Sequence, residues 1–255
     1  NENVAPAVAL VVLLLSLAAV VSAGVAQDAR AAVEAFVARL SGVNVTDLVI
    51  QQNLTLYHPD GRHPQSTGEQ RVLIKLPQRQ RLEQTVEGRR EVRLAVGDRV
   101  WIRQPDGKTY ETPAGGGGSD RTHLLVPFRR RAADLLAEWR SLGVRDDVSH
   151  VARLGGRAVT VIGARPGDRD VTSVWLDAER GVVRFITRER LPAGSGVVDL
   201  AFSEHRSLPG GFHFPHRQEA FVDGKLLVLI TVRSVQVNTN PPDALFDPEA
   251  LRKEP

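Results

Sequence analysis

The chain has no cysteine, no methionine, only 5% aromatic residues and only four lysines, Lys75, Lys108, Lys225 and Lys253, among its 33 basic side chains. Without cysteine there is no disulfide, no thiolate metal ligand, no cysteine nucleophile and no N-terminal cysteine to acylate. The 255 residues must therefore be held by non-covalent forces alone. A one-signed charge field is lacking too. The basic residues are interspersed with 30 acidic ones for a net charge of +3, which describes a solvated surface rather than a nucleic-acid footprint. With 42% hydrophobic and 25% charged residues, disorder, collagen and coiled coil are excluded as the main theme, and the length suits one large β-rich domain or two small ones.

One long hydrophobic run is present. Residues 5–26 are apolar apart from Pro6, Ser16 and Ser22, and Ala7–Leu15 is unbroken. As a helix such a stretch reaches about 30 Å, enough to span a bilayer. Its small-residue end, Gly24-Val25-Ala26 before Gln27, fits an export cleavage site. Residues 1–26 are thus read as a signal peptide in preference to a retained membrane anchor, with the remainder working outside the cytoplasm.

Beyond it, Asp28 is placed to cap a helix through Leu40, because Ala29, Val33, Phe36, Val37 and Leu40 share one face. The period then falls to two. Leu48, Ile50, Leu54 and Leu56, then Val72, Ile74 and Leu76, then Val92, Leu94 and Val96 alternate with polar residues, which predicts half-buried antiparallel strands. Turn residues, such as Asp60-Gly61, Gly97-Asp98 and Asp106-Gly107, stand at the breaks. The run Gly115–Gly118 has nothing to pack and lacks the Lys-Ser/Thr of a phosphate loop, so it is read as a flexible loop. A second helix is predicted from about Pro127, with Phe128, Ala132, Leu135, Leu136, Trp139 and Leu142 as its stripe and Arg129–Arg131 crowding its start. Strands return from Val148 to Val237 with regular turn spacing, a meander. The last, Leu226–Val237, is apolar on both sides in its first half and is expected to be covered twice. A short tail with Phe246 follows Asn240-Pro241-Pro242. One continuous sheet interrupted by a helical excursion is the expected architecture.

Chemistry is harder to find. The seven histidines fall at predicted turns and strand edges, none in H-E-x-x-H; His213 and His216, three apart, point to opposite faces of a regular strand and are read as surface residues rather than metal ligands. Gly194-Ser195-Gly196 is not a nucleophile elbow, and Asp168 and Asp170 sit beside Arg165 and Arg169. No catalytic residue, no metal site and no cofactor is expected, and a non-enzymatic role is preferred. Asn44-Val45-Thr46 and Asn53-Leu54-Thr55 match the glycosylation pattern but carry no argument alone.

Order and spacing of short motifs do point somewhere. Gly68, Lys75-Leu76-Pro77, the run Val96-Gly97-Asp98-Arg99-Val100-Trp101 and Pro105, followed by Trp175-Leu176-Asp177 with Gly181, Leu208-Pro209, Phe214-Pro215, Asp223-Gly224, Val237-Asn238 and Phe246-Asp247-Pro248, resemble the periplasmic outer-membrane lipoprotein carrier (LolA-like, lipoprotein-sorting) family across nearly the whole chain after residue 26. The resemblance implies a mainly β (α+β) fold, a curved antiparallel sheet forming an unclosed β-barrel with helices covering the concave face, here as a single domain over residues 27–255. It implies a periplasmic carrier that shields acyl chains in an apolar cavity. The partners would be lipoprotein acyl chains or another lipid, together with inner- and outer-membrane transport proteins, and the carrier would act as a monomer without nucleic acid. Candidate lining residues are Val33, Phe36, Leu54, Leu56, Ile74, Leu94, Trp101, Leu135, Trp139, Phe185, Val228 and Ile230. The alternative reading is a membrane-anchored envelope sensor or protein-interaction module using the same half-barrel.

Overall fold

A computed structural model describes residues 28–113, 122–191 and 194–255. The hydrophobic run of residues 1–26 and the glycine-rich loop lie outside the described residues. Asp28 caps α1 (Ala29–Leu40) by accepting from the backbone N–H of Arg30 at 2.9 Å. Ser41 then ends it, its hydroxyl donating to the Ala38 carbonyl at 2.7 Å.

Six strands follow as a meander: β1 (Asp47–Tyr57), β2 (Pro64–Lys75), β3 (Arg79–Val86), β4 (Arg89–Val96), β5 (Arg99–Arg103) and β6 (Thr109–Pro113). The helical excursion comprises α2 (Thr122–Leu125) and α3 (Ala132–Ser141). A second meander runs β7 (Ser149–Leu154), β8 (Arg157–Ile162), β9 (Ser173–Asp177), β10 (Gly181–Leu191), β11 (Gly194–Leu208), β12 (Phe212–Val222) and β13 (Lys225–Val237). A 3₁₀ turn (Asp243–Phe246) and α4 (Pro248–Arg252) complete the chain.

All strands lie in one antiparallel sheet of order β6-β5-β4-β3-β2-β1-β13-β12-β11-β10-β9-β8-β7. The two meanders meet where β1 pairs with β13, Leu54 opposite Ile230 and Leu56 opposite Val228. β6 and β7 end the order without pairing to each other, so the barrel is unclosed. This is the expected fold class.

Alternation divides the sheet into two faces. The inner face carries Leu48, Ile50, Val72 and Ile74 and, in the second meander, Ile162, Val174, Leu176 and Phe185. Three segments cover it: α1, α3 and the stretch from Leu124 to Phe128. The outer face carries Val49, Leu73, Val92, Leu94 and Trp101, packed beneath Phe246 and Leu251 of the C-terminal tail.

That tail is fastened by arginines. Arg81, 1% exposed, donates to Glu83 at 2.7 Å, to the Leu245 carbonyl at 3.1 Å and to both Glu254 carboxylate oxygens at 2.7 and 2.9 Å. Arg103 donates to the Leu251 carbonyl at 3.2 Å and to that of Glu254. Lys75 and Arg79 hold Asp243 at 2.6 and 2.9 Å. A buried guanidinium is tolerated because its donors are met by acceptors within the fold.

Three expectations need correcting. The second helix does not start at Pro127: α2 ends at Leu125, and α3 begins only at Ala132. Arg129 between them takes a positive φ of 56°, which no α-helix accommodates. β13 is not covered twice, since Leu226–Thr231 are half-buried on both sides. His216 is not a surface residue. It is 5% exposed, beside Phe214 with ring centroids 6.4 Å apart.

Candidate functional site: an apolar cleft at the mouth of the half-barrel

The expected lining residues divide by location. Val33, Phe36, Leu135, Trp139 and Phe185 come together beneath α1 and α3 in one buried cluster. Ile74 belongs to the second inner cluster, with Ile230 packed at its margin. The β1–β13 register sets Leu54 opposite Ile230 and Leu56 opposite Val228; Leu54 is 4% exposed, whereas Leu56 and Val228 are half-buried. Leu94 and Trp101 stand apart. They are on the outer face against Phe246 and Leu251, where α1 and α3 do not reach. The reason is parity: Leu94 pairs with Arg81 and Trp101, a row continuous with Leu73 and Val49. A single-residue offset between strands assigns an alternating run to the other face.

The inner face is not uniformly apolar. Gln52, Gln70 and Gln84 sit opposite one another on β1, β2 and β3. Their amides form a ladder, with Gln52 Nε2 donating to Gln70 Oε1 at 2.7 Å and Gln70 Nε2 to Gln84 Oε1 at 2.6 Å. Such a ladder meets part of the hydrogen-bonding need of amides that are 6 and 9% exposed at Gln52 and Gln70.

A cleft opens at one end of this face, where α1 and α2 lean over the start of β12. α1 contributes Phe36 and Leu40, α2 contributes Leu124 and Leu125, and the following turn contributes Pro127 and Phe128. The opposite wall is Gly181 and Val182 at the start of β10 with Phe212 and Pro215 of β12. Glu179, Arg180 and His213 form its polar rim. The space between these walls is ≈ 350 Å³ when the open solvent at its mouth is included. Phe128 and Phe212 meet edge to face, centroids 4.5 Å apart, and brace the mouth.

Local chemistry fixes the rim. The Asp177 carboxylate accepts from the backbone N–H groups of Glu179 and Arg180 at 2.9 and 3.0 Å and from Arg157 at 2.6 and 3.1 Å. Burial alone would raise its pKa, but Arg157 and the two amides hold it down to about 2. Gly181 follows at φ 85°. A Cβ there would come within 3.0 Å of the Phe36 ring, so the turn must be glycine for α1 to seat. His205 is paired with Pro215 of this wall across β11 and β12. Its Nε2 is buried with no hydrogen-bond partner among the described residues. Burial first, and the Arg180 charge second, push its pKa down to about 4, so the ring is neutral at pH 7. Among the described residues no carboxylate pairs with the Arg180 side chain, and the adjacent Glu179 is engaged by Arg157 at 2.9 Å.

Of the expected lining positions, Phe36 is the one that reaches this cleft. Sequence reasoning missed Leu40, Phe128, Phe212 and the rim residues. The available signal was Phe212-His213-Phe214-Pro215-His216, an aromatic cluster in a chain poor in aromatics. Among the described residues no three His, Asp or Glu side chains gather as a metal site would require, and no helix is long and apolar enough to cross a membrane.

Neither a protein-family model nor a curated protein sequence matches this chain. Solved structures do. One, from Vibrio parahaemolyticus and described as an outer membrane lipoprotein-sorting protein domain, superposes with a TM-score of 0.58 at 11% identity, over 88% of this chain and 98% of its own. The fold is LolA-like. A DUF1329 family protein from Desulfovibrio piger matches at 0.57 and 11% identity, over 88% and 99% of the two chains. A LolA superfamily protein from Nitrosomonas europaea matches at 0.52 and 9% identity, over 86% and 98%. In each case the likeness of fold covers most of this chain, in agreement with the resemblance read from the motifs.

Proposed function

We propose that this chain is a periplasmic lipid or lipoprotein carrier that shelters an acyl chain in the cleft between α1, α2 and β12. The carrying observation is the cleft itself: aliphatic and aromatic walls, open at one end, on the helix-covered face of a LolA-like sheet. Each methylene taken from water contributes about 0.8 kcal/mol. Six would give about 5 kcal/mol, enough to hold a chain without many polar contacts and weak enough to release it. Binding is favoured over catalysis by the state of the titratable groups. Asp177 already accepts from Arg157 and two amides, which leaves it unfit as a base, and neutral His205 has no nucleophile within hydrogen-bond distance.

In this reading residues 1–26 direct export and the remainder works as a monomer, exchanging cargo with transport proteins of the inner and outer membranes. Native mass spectrometry of the protein, with lipid extraction, tests it alongside uptake of fluorescent acyl probes of increasing length. Co-purified lipid, and affinity rising about 15-fold per two methylenes until the cleft is full, is the expected result. Absence of both bound lipid and probe uptake overturns the carrier.

A further inference from the structure

The rim of the cleft carries a polar feature that an acyl chain leaves unused. Arg180 and His213 stand on it, and His205 is the cross-strand neighbour of Pro215 in its wall. The His205 Nε2 atom is buried without a partner, and the Arg180 guanidinium has no carboxylate counterpart among the described residues. The nearest acidic groups are already used: Asp177 and Glu179 are both engaged by Arg157. Burial first, and then the Arg180, His213 and Arg157 charges against that of Asp177, disfavour a proton on His205. A buried nitrogen without a partner costs free energy that an acceptor would return, and the part-exposed Arg180 is available to hold an anion beside it.

We infer that the cleft selects a single-chain amphiphile with an anionic head, whose phosphate or carboxylate is held by Arg180 and His213 over His205 while its tail lies against Phe36, Leu124 and Phe212. The inference rests on the acyl-binding reading and adds the head-group chemistry. The narrow spacing of the Phe36, Leu124 and Phe212 walls favours one chain over several. A head bearing negative charge supplies the acceptor, and it favours the protonated imidazolium of His205.

The test compares three probes on the full chain, each below its micelle-forming concentration: a C16 lysophosphatidic acid, the monoacylglycerol of equal chain length, and inorganic phosphate. Intrinsic tryptophan fluorescence or calorimetry reports binding. The expected result is at least tenfold tighter binding of the lysophosphatidate than of the monoacylglycerol. Arg180→Gln should reduce that ratio to below threefold, through weaker binding of the lysophosphatidate. This variant retains the backbone N–H of residue 180 that Asp177 accepts from, so the turn is preserved, and a thermal melt checks the fold. NMR titration of the histidines should show the His205 pKa raised by lysophosphatidate and unmoved by the neutral lipid. Equal affinities for the charged and neutral lipids overturn the head-group site and leave the acyl cleft standing. Failure of both lipids to bind overturns the acyl-binding reading itself. Phosphate binding as tightly as lysophosphatidate overturns the amphiphile in favour of a plain anion site.

Discussion

The two faces of the sheet are predicted to be energetically separable, and Arg81 offers the sharpest test. Arg81→Met deletes four hydrogen bonds to Glu83, the Leu245 carbonyl and Glu254 while retaining most of the apolar stem. Removing one member of a fully buried ion pair costs about 3–5 kcal/mol, because the partner is left without its counter-charge. Glu83 and Glu254 keep side-chain exposures of 19 and 21%, so water partly rehydrates them. Arg90 also still reaches Glu254 at 3.2 Å. The loss should therefore fall to about 2–3 kcal/mol. For a domain of this size that is a drop of about 4–12 °C in Tm, accompanied by earlier proteolytic release of α4. Circular dichroism melts and urea unfolding measure it, and a double-mutant cycle with Glu254→Met isolates the coupling. Acyl-probe affinity of the folded variant should stay within about twofold of the parent. A Tm change under 2 °C would refute the clamp; loss of probe binding with the fold intact would refute the separation of faces.

Other perturbations act on the inner side. Gly181→Ala, which needs a positive φ of 85° and meets the Phe36 ring at 3.0 Å, should destabilise by about 1–3 kcal/mol and weaken probe uptake, read by urea midpoints and fluorescence titration. Leu125→Trp should block the cleft and lower probe affinity at least tenfold, with a Tm close to the parent's, whereas Trp101→Ala on the outer face should cost about 3–5 kcal/mol and spare affinity per folded molecule. The His205 pKa falls from 6.5 unfolded to about 4 folded, so the native state binds fewer protons and stability is lost as pH drops below 6.5. With allowance for partial solvent screening, about 1 kcal/mol should disappear between pH 7 and pH 5. That slope should flatten in His205→Gln; Asp177, held near 2, titrates below the window.

Periodicity carried most of the secondary structure. Asp28 and the apolar stripe through Leu40 located α1, and the turn residues separated the strands of both meanders. What periodicity could not supply was parity between strands. Leu94 and Ile74 alternate equally well, yet the register sets Ile74 opposite Gln80 and Leu94 opposite Arg81, on opposite faces. The tail was legible as a segment with Phe246 but not as the cover of the outer face, because the decisive partner was a buried arginine that reads as surface charge in one dimension. The cleft was missed for a related reason. Its walls come from helix ends, a turn and the first residues of a strand, short pieces with no period of their own.

The seam between β1 and β13 has a temporal consequence. Each meander is built from hairpins between neighbours in sequence, contacts a growing chain makes cheaply, whereas the seam joins residues such as Leu48 and Val237 across nearly the whole length. Until the last strand emerges, β1 is an unprotected edge, with Leu54 and Leu56 facing water and open to pairing with any passing extended segment. A nascent or translocating copy is thus most vulnerable to aggregation just before it is complete, and a truncation that removes β13 should yield insoluble material rather than two independent halves.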